Sequence, residues 1–358
     1  MQMKHFKRMK TLSTLTLKAK EGMQMKNNYY CRIMLVVMFI LSLMVGGNNV
    51  FAAKKSLRLA SDTPTTTNQG KLVTAFIQKV KEKSKGEIDI QFFPGGQLGT
   101  GAALATAIKL GTVDMTATGF NGLQTLYPDL SVFQFPYVYR DVHHADRASS
   151  PSSPLFKKMN EILIKTSNVR MIGNGYYGTR QLTLNTPART PADLKGKKLR
   201  VQPRPLTIAT GEGMGAVATV LSFSELPTGL ATGVVDGQEN PLRTIYAGKF
   251  YQTQKYLMLT DHIIAMAVLA INENVWKSLD RNQQDMFMEA AREAKKEVLK
   301  EALAEESDLV EKLRKEGMTV IGPEDGLDKM AFQKSVLKRC RKEFPQWKGY
   351  IEEIQAIK

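Results

Sequence analysis

Cysteine, histidine and long hydrophobic runs are all scarce in this chain, and each scarcity removes a class of function. Of 358 residues only Cys31 and Cys340 are cysteines. Cys31 falls in a segment that reads as a leader, so Cys340 has no partner for an internal disulfide and is expected as a core thiol. The four histidines are His5, the adjacent pair His143 and His144, and His262. Adjacent side chains diverge on a helix, so that pair makes a poor metal site, and HExxH, CxxC and GxSxG are all missing. The residue types point to no catalytic group, no metal and no cofactor. The longest uncharged apolar run, thirteen residues at 33–45 (IMLVVMFILSLMV), falls short of the roughly 20 that span a bilayer.

That run suits the core of a secretory signal. Lys26 and Arg32 precede it, Gly46-Gly47 follow, and Val50-Phe51-Ala52 puts small residues where a signal peptidase reads. Residues 1–52 are expected to be a signal peptide cut near Ala52. Met25-Lys26 also reads as a start, which would make residues 1–24 an upstream extension. No cysteine follows the run closely, which argues against lipid attachment there.

Export changes the charge argument. The formal +16 includes eight Lys or Arg and one Glu before residue 53, which leaves about +9 on the exported part. Its lysines are scattered among acids on helical stretches such as 79–85 and 292–315, the pattern of solvated faces. Nucleic acid is a poor partner for such a chain, and anionic small molecules suit it better.

Runs of β type occur at 57–60, 88–93, 113–118, 169–173, 198–201 and 263–271, with amphipathic helical stretches between them at 72–83 and 101–110. Strands alternating with helices predict α/β units around a largely parallel sheet. An internal echo organises the chain. LATAIKLGTVD (104–114) and LPTGLATGVVD (226–236) share five of eleven positions. Each reads as a helix ending at a glycine, Gly111 or Gly233, that can take the left-handed cap, with Val-Asp opening the next strand. Two copies of one unit predict two lobes. A long helix is expected over 281–316, capped by Asp280 and Gln283 and stopped by Gly317. At 1.5 Å per residue it reaches about 50 Å, enough to brace both lobes.

Two glycine clusters imitate nucleotide sites. GEGMGA (211–216) matches GxGxxA, but residues 205–210 do not read as the strand such a site requires. GGQLGTG (95–101) lies between strand and helix, yet lacks a Lys-Ser/Thr ending or a downstream ribose acid, and reads as a loop.

Three polar groups stand out in the middle of the chain. Arg180 lies in YGTRQ. Arg200 lies in DLKGKKLRV, where it alternates with Leu199 and Val201 and so points away from an apolar face. Asn240 lies at the end of GLATGVVDGQENP (229–241), which reads as a broken helix followed by an acidic, amide-rich corner. A guanidinium offers a carboxylate two parallel N–H donors, a geometry that lysine cannot copy.

Together, GTRQLTLNTPARTPADLKGKKLRVQ (178–202) and FSELPTGLATGVVDGQENP (223–241) resemble the DctP-type solute-binding proteins of TRAP transporters. The resemblance takes in nearly all of residues 54–350. It implies a two-lobed periplasmic-binding-protein fold that closes like a flytrap, with lobe I from 54–177 plus 266–305, lobe II from 178–265 plus 306–358, and the ligand cleft between. It further implies a monomeric periplasmic receptor that is no enzyme. Such a receptor binds a small organic acid, a C4-dicarboxylate or a sugar acid, and delivers it to the small and large membrane subunits of a permease. Arg200 takes the place of the arginine that binds the substrate carboxylate, Arg180 of the one that assists, and Asn240 of an amide donor to the same group. Asp62 stands near a polar contact at the first strand end, and Phe223 where an aromatic stacks on the ligand.

The departures bear on which acid is bound. Where sialic-acid binders carry Glu and Arg after the first VD strand, this chain has Gly119, Asn121 and Gly122, which disfavours sialic acid; Asn121 on that loop is expected to meet the ligand from the lobe opposite Arg200 and Asn240. Pro227 replaces a tyrosine. Arg204 adds a second cation that would either suit a dicarboxylate or face solvent. Two other roles share these residues: a sensory subunit feeding a histidine kinase, and an exported enzyme acting on organic acids, which would also need a general base.

Overall fold

The computed structural model describes Met23, Met25, residues 32–38 and residues 55–358. The expected cleavage point near Ala52 and most of the leader lie outside these residues. Among the described residues no helix is long and apolar enough to cross a membrane.

From residue 55 onward the chain begins with β1 (Lys55–Ser61), α1 (Asn68–Lys83), β2 (Ile88–Phe93), α2 (Ala102–Leu110) and β3 (Met115–Gly119). Two shorter helices, α3 (Val142–Ala148) and α4 (Pro154–Ser167), lead into β4 (Val169–Leu184). The opening pattern then recurs as β5 (Lys198–Val201), α5 (Pro205–Gly213), β6 (Val217–Val220), α6 (Leu226–Ala231) and β7 (Gly237–Pro241). After α7 (Leu242–Ala247) come β8 (Tyr256–Asn272), α8 (Glu273–Lys277), α9 (Arg281–Lys315), β9 (Thr319–Ile321), α10 (Lys329–Glu343) and α11 (Lys348–Ala356).

The strands form one sheet in the order β2-β1-β3-β8-β4-β7-β5-β6, with β9 beside β8. Its two wings, β2-β1-β3 and β6-β5-β7, are parallel. The centre is not: β3–β8, β8–β4 and β4–β7 are antiparallel, so the sheet is mixed rather than largely parallel. The reason lies in β4 and β8, which run on for 16 and 17 residues and belong to both wings. One end of β8 pairs with β3, and the far end of β4 pairs with β7. The alternation legible at 169–173 and 263–271 is lost beyond those segments, where Gly175, Gly178, Arg180 and Asp261 interrupt it. The register shifts at Tyr176/Gly178 and again at Arg180/Leu182, and bulges there bend the ribbon between the wings.

The sequence echo is a structural one. Gly111 and Gly233 both take the left-handed conformation, at φ 74° and 73°. The two aspartates do not open strands as expected, because β3 and β7 each start one residue later. Instead Asp114 Oδ2 accepts the Arg58 backbone N–H at 2.7 Å, and Asp236 Oδ2 accepts that of Lys198 at 2.7 Å. Each aspartate N–H in turn donates to the carbonyl of the same partner, so both copies clasp the neighbouring strand identically.

Helix α9 starts at the expected capping box of Asp280 and Gln283 and ends before Gly317. Over its 35 residues it crosses from one core to another. Phe287, Ala291, Ala294 and Val298 pack with Leu72, Phe76 and Leu269 of the first wing. Leu309 and Leu313 pack with Leu226, Leu230 and Ile245 of the second. Each wing alone could bury only one side of such a rod, so α9 ties the two together. Chain order gave no hint of a second tie at the C-terminus. There the Trp347 Nε1 donates to Asp129 Oδ1 at 2.7 Å, and the His144 ring meets the Ile354 carbonyl at 2.9 Å.

Cys340 is a buried free thiol, as expected, and burial pushes it up to about 11. Residues 205–213 are helical, so the GxGxxA match sits at a helix end and lacks the strand that a dinucleotide needs.

Candidate functional site

Where the central ribbon bends, the C-terminal ends of the parallel strands face each other across a cleft, the place where α/β sheets bind ligands. The space between the side chains that line it amounts to ≈ 560 Å³, open solvent included. Asp62, Thr63, Gln69, Asn121 and Gln134 line it from the first wing, and Gln202, Arg204, Thr207 and Phe223 from the second. Arg180, Tyr177, Ile263 and Ala265 of the ribbon close its base.

Arg180 is held rigidly by its own strand neighbours. β4 and β7 pair so that Arg180 lies opposite Pro241, next to Glu239 and Asn240. Its Nε and Nη2 grip the Glu239 carboxylate, the latter at 2.8 Å, and Nη2 also reaches Asn240 Oδ1 at 3.1 Å. The other Glu239 contact is His262 Nε2 at 3.0 Å, and His262 Nδ1 meets Thr260 Oγ1 at 2.8 Å. Burial alone would push the Glu239 carboxyl up. The Arg180 charge and the bonds from His262 and Arg180 outweigh it and hold the group down at about 2. Burial likewise holds His262 below the usual imidazole range, against the pull of Glu239. These bonds run through Nε and Nη2 of Arg180, so Nη1 is the nitrogen left to serve the cavity.

Arg200 lies deeper and is only 1% exposed. Its Nε donates to the Leu221 carbonyl at 3.0 Å, while its Nη1 is buried with no hydrogen-bond partner among the described residues. Desolvation lowers it to about 10, with Glu239 opposing the shift and Arg180 and Arg204 adding to it. A buried guanidinium with an idle donor is costly to leave unmatched, and buried polar groups of this kind are nearly always bonded.

Arg204 crosses the cleft. Its Nη1 reaches Asn121 Oδ1 at 3.1 Å and its Nη2 lies 3.8 Å from Asp62 Oδ2. Asp62 is itself oriented by Gln69, whose amide donates to Asp62 Oδ1 at 3.0 Å.

Of the seven residues expected at the site, the fold brings Asp62, Asn121, Arg180, Arg204 and Phe223 to the cavity wall. Arg200 and Asn240 sit just behind it, both 1% exposed. Asn240 accepts from Arg180 and donates to Gln238 Oε1 at 2.6 Å, so its side chain is spent on holding Arg180. The acidic, amide-rich corner expected at 237–241 is strand β7, buried along its whole length. Gln69, Gln134, Gln202, Thr207, Glu239 and His262 were not foreseen. Gln202 alone carried a sequence signal, standing two residues after Arg200, just past the end of β5.

A second, wider groove is lined by Arg140, Asp261, Glu306 and Lys329. Its charges are engaged already: Lys329 pairs with Asp261, Arg140 binds the Gln355 and Ile357 carbonyls, and Glu306 accepts from the Tyr176 hydroxyl. It therefore offers no idle cation to an acid.

Two wings on a bent ribbon, facing each other across a polar cleft with inward guanidiniums, define a two-lobed solute-binding protein. The chain belongs to the DctP family, the bacterial extracellular solute-binding proteins of family 7, whose model matches residues 59–344. It is 28% identical over 313 residues to the 2,3-diketo-L-gulonate-binding periplasmic protein of Escherichia coli K12, covering 85% of this chain and 93% of that one. Among solved structures, a TRAP periplasmic solute-binding protein of Roseobacter denitrificans with bound L-galactonate is 31% identical, with a TM-score of 0.76 over 84% of this chain and 98% of that one. Another from Citrobacter koseri with bound D-glucuronate is 27% identical, with a TM-score of 0.77 over 85% and 100%. The protein is thus a TRAP-type solute-binding receptor of a family that binds carboxylates and sugar acids, and not an enzyme.

Proposed function

We propose that this receptor captures a hydroxylated carboxylic acid of the sugar-acid class in the periplasm and hands it to a TRAP permease made of a small and a large membrane subunit. The observation that carries this reading is the idle, buried Nη1 of Arg200 beside Arg180, at the back of a cavity whose wall carries amides and hydroxyls beside the Asp62–Arg204 pair. Arg200 and the free Nη1 of Arg180 receive the carboxylate, and Asn240 acts through Arg180 rather than by direct contact. Gln69, Gln134, Gln202 and Thr207 supply donors and acceptors for hydroxyls, and Phe223 covers the carbon chain. The sugar acids bound by the related receptors have this chemistry.

Lobe boundaries at 177/178 and 265/266 agree with the bulge at Tyr176/Gly178, and the parts 54–177 plus 266–305 and 178–265 plus 306–358 then move as a monomeric flytrap. Closure is driven by contacts made from both sides at once. Excluding water strengthens the charge-assisted bonds.

A thermal-shift and calorimetric screen of the exported chain tests this. A sugar acid at a hundred times its dissociation constant should add about 2.7 kcal/mol of stability and be recovered unchanged. A screen in which neutral sugars bind and no carboxylate does would refute it. Uptake of the same acid by proteoliposomes carrying the permease, absent without the receptor, tests delivery.

A further inference from the structure

The charges around the cavity do not cancel. Arg180 is matched by Glu239 through two bonds. Arg204 has the Asp62 carboxylate at 3.8 Å. Arg200 has no carboxylate against it, since its Nε holds a backbone carbonyl and its Nη1 holds nothing. The other titratable neighbours leave this balance unchanged. Burial lowers His262 and raises Tyr177, so both are neutral near pH 7. Glu225, the further acid whose field reaches Arg200, is exposed on the loop after β6 and screened by solvent. Three guanidiniums against two carboxylates leave one buried positive charge, and it resides on Arg200.

Resting on the reading of this cleft as a carboxylate receptor, we infer that the site is charge-matched to a monoanion and that Asp62, by occupying Arg204, is the residue that excludes dianions. One carboxylate at Arg200 neutralises the cavity, and the rest of the ligand meets neutral Thr63, Gln69, Gln134, Gln202 and Thr207. A second carboxylate at the ligand's far end meets Asp62 or must displace it from Arg204. Either way one negative charge stays buried and unmatched, which binding must overcome. Arg204 alone would have suited a dicarboxylate. Paired with Asp62 and bonded to Asn121, it selects aldonates and uronates over C4-dicarboxylates, aldarates and phosphate esters.

Calorimetry with matched acid pairs tests the inference: L-galactonate against galactarate, D-glucuronate against D-glucarate, and 4-hydroxybutyrate against succinate. The monoacid of a bound pair should bind roughly a hundredfold more tightly than the diacid, because like charges brought together cost several kcal/mol. In Asp62→Asn, which keeps the shape and an acceptor for Gln69, that ratio should fall below about tenfold. In Arg204→Gln, which removes a cation, it should widen. Equal affinities in the unmodified protein, a preference for the diacid, or a ratio unmoved in a folded Asp62→Asn variant would overturn the inference and leave the receptor reading standing. Binding of no acid in any pair would sink both.

Discussion

At the scale of single residues, the cleft is governed by which guanidinium is already satisfied. Arg180 is saturated on two nitrogens by Glu239 and Asn240, so it is fixed in place before any ligand arrives. Arg200 is not, and its idle Nη1 makes it the stronger attractor. Arg200→Lys should therefore lose more than about tenfold in affinity for the cognate acid by calorimetry, since one point charge replaces a planar fork. Glu239→Gln removes the partner of a buried cation and should destabilise the fold by about 3–5 kcal/mol in urea unfolding. The titrations have definite signs. Glu239 is held at about 2, below its unfolded value, so its contribution is full above about pH 4.5 and is lost as pH falls toward 2. His262 and His144 are lowered by burial, so the unfolded chain takes up their protons first. Stability should be full above about pH 6.5 and decline below it, a slope that thermal melts across pH 5–8 would show. Arg180, Arg200 and Arg204 stand out in the sequence. Glu239 and His262 do not, because what gives them meaning is a contact between strands 23 residues apart.

At the scale of elements, the two aspartate clasps are one device used twice. Asp114 and Asp236 each accept an N–H from the strand beside them and return a bond to the same residue. Asp114→Ala and Asp236→Ala should thus cost similar amounts, about 1–2 kcal/mol each in denaturant unfolding. The five shared positions of the two stretches made this repeat visible, because the glycine cap is a local requirement and the aspartate recurs at the same offset from it, although each clasp reaches a strand 56 or 38 residues earlier in the chain. Strand β7 was not visible. A buried strand made of Gly237, Gln238, Glu239, Asn240 and Pro241 has no apolar alternation, and its polar groups lean on residues distant in the chain such as Thr183 and Arg180 as well as on each other. The bend of β4 depends on Gly178, at φ 139°, where a Cβ would lie 2.4 Å from that of Pro241. Gly178→Ala should lower the melting temperature and disturb binding together, since the bend carries Tyr177 and Arg180.

At the scale of the whole molecule, β4, β8 and α9 join the wings, and the C-terminal helices add a further tie. The strands carry the bulges, and the helix has its early turns in one core and its late turns in the other. The lysines of α1 face the glutamates of α9, as in Lys79 with Glu297 and Lys83 with Glu289, on the solvated surface that their interleaved charges implied. Closure of the proposed lobes should appear in small-angle scattering as a smaller radius of gyration on adding saturating sugar acid. An unchanged profile with binding confirmed by calorimetry would count against the flytrap motion.

The α/β units, the duplicated half, the capped brace helix and the basic residues on which an acid receptor depends are legible in the order of amino acids alone. Each is written in local periodicity, caps or a contiguous motif, and such patterns need no knowledge of the rest of the chain. It takes the packed fold to show that the sheet is mixed, that Asn240 supports Arg180 instead of facing the cavity, and that Asp62 neutralises Arg204 from the opposite wing. Those outcomes depend on which polar groups meet across 60 positions of chain, as Arg180 and Asn240 do, or 142, as Asp62 and Arg204 do. Whether a buried cation is matched or idle is settled by that meeting, and the charge left on Arg200 could be read only once the chain had folded.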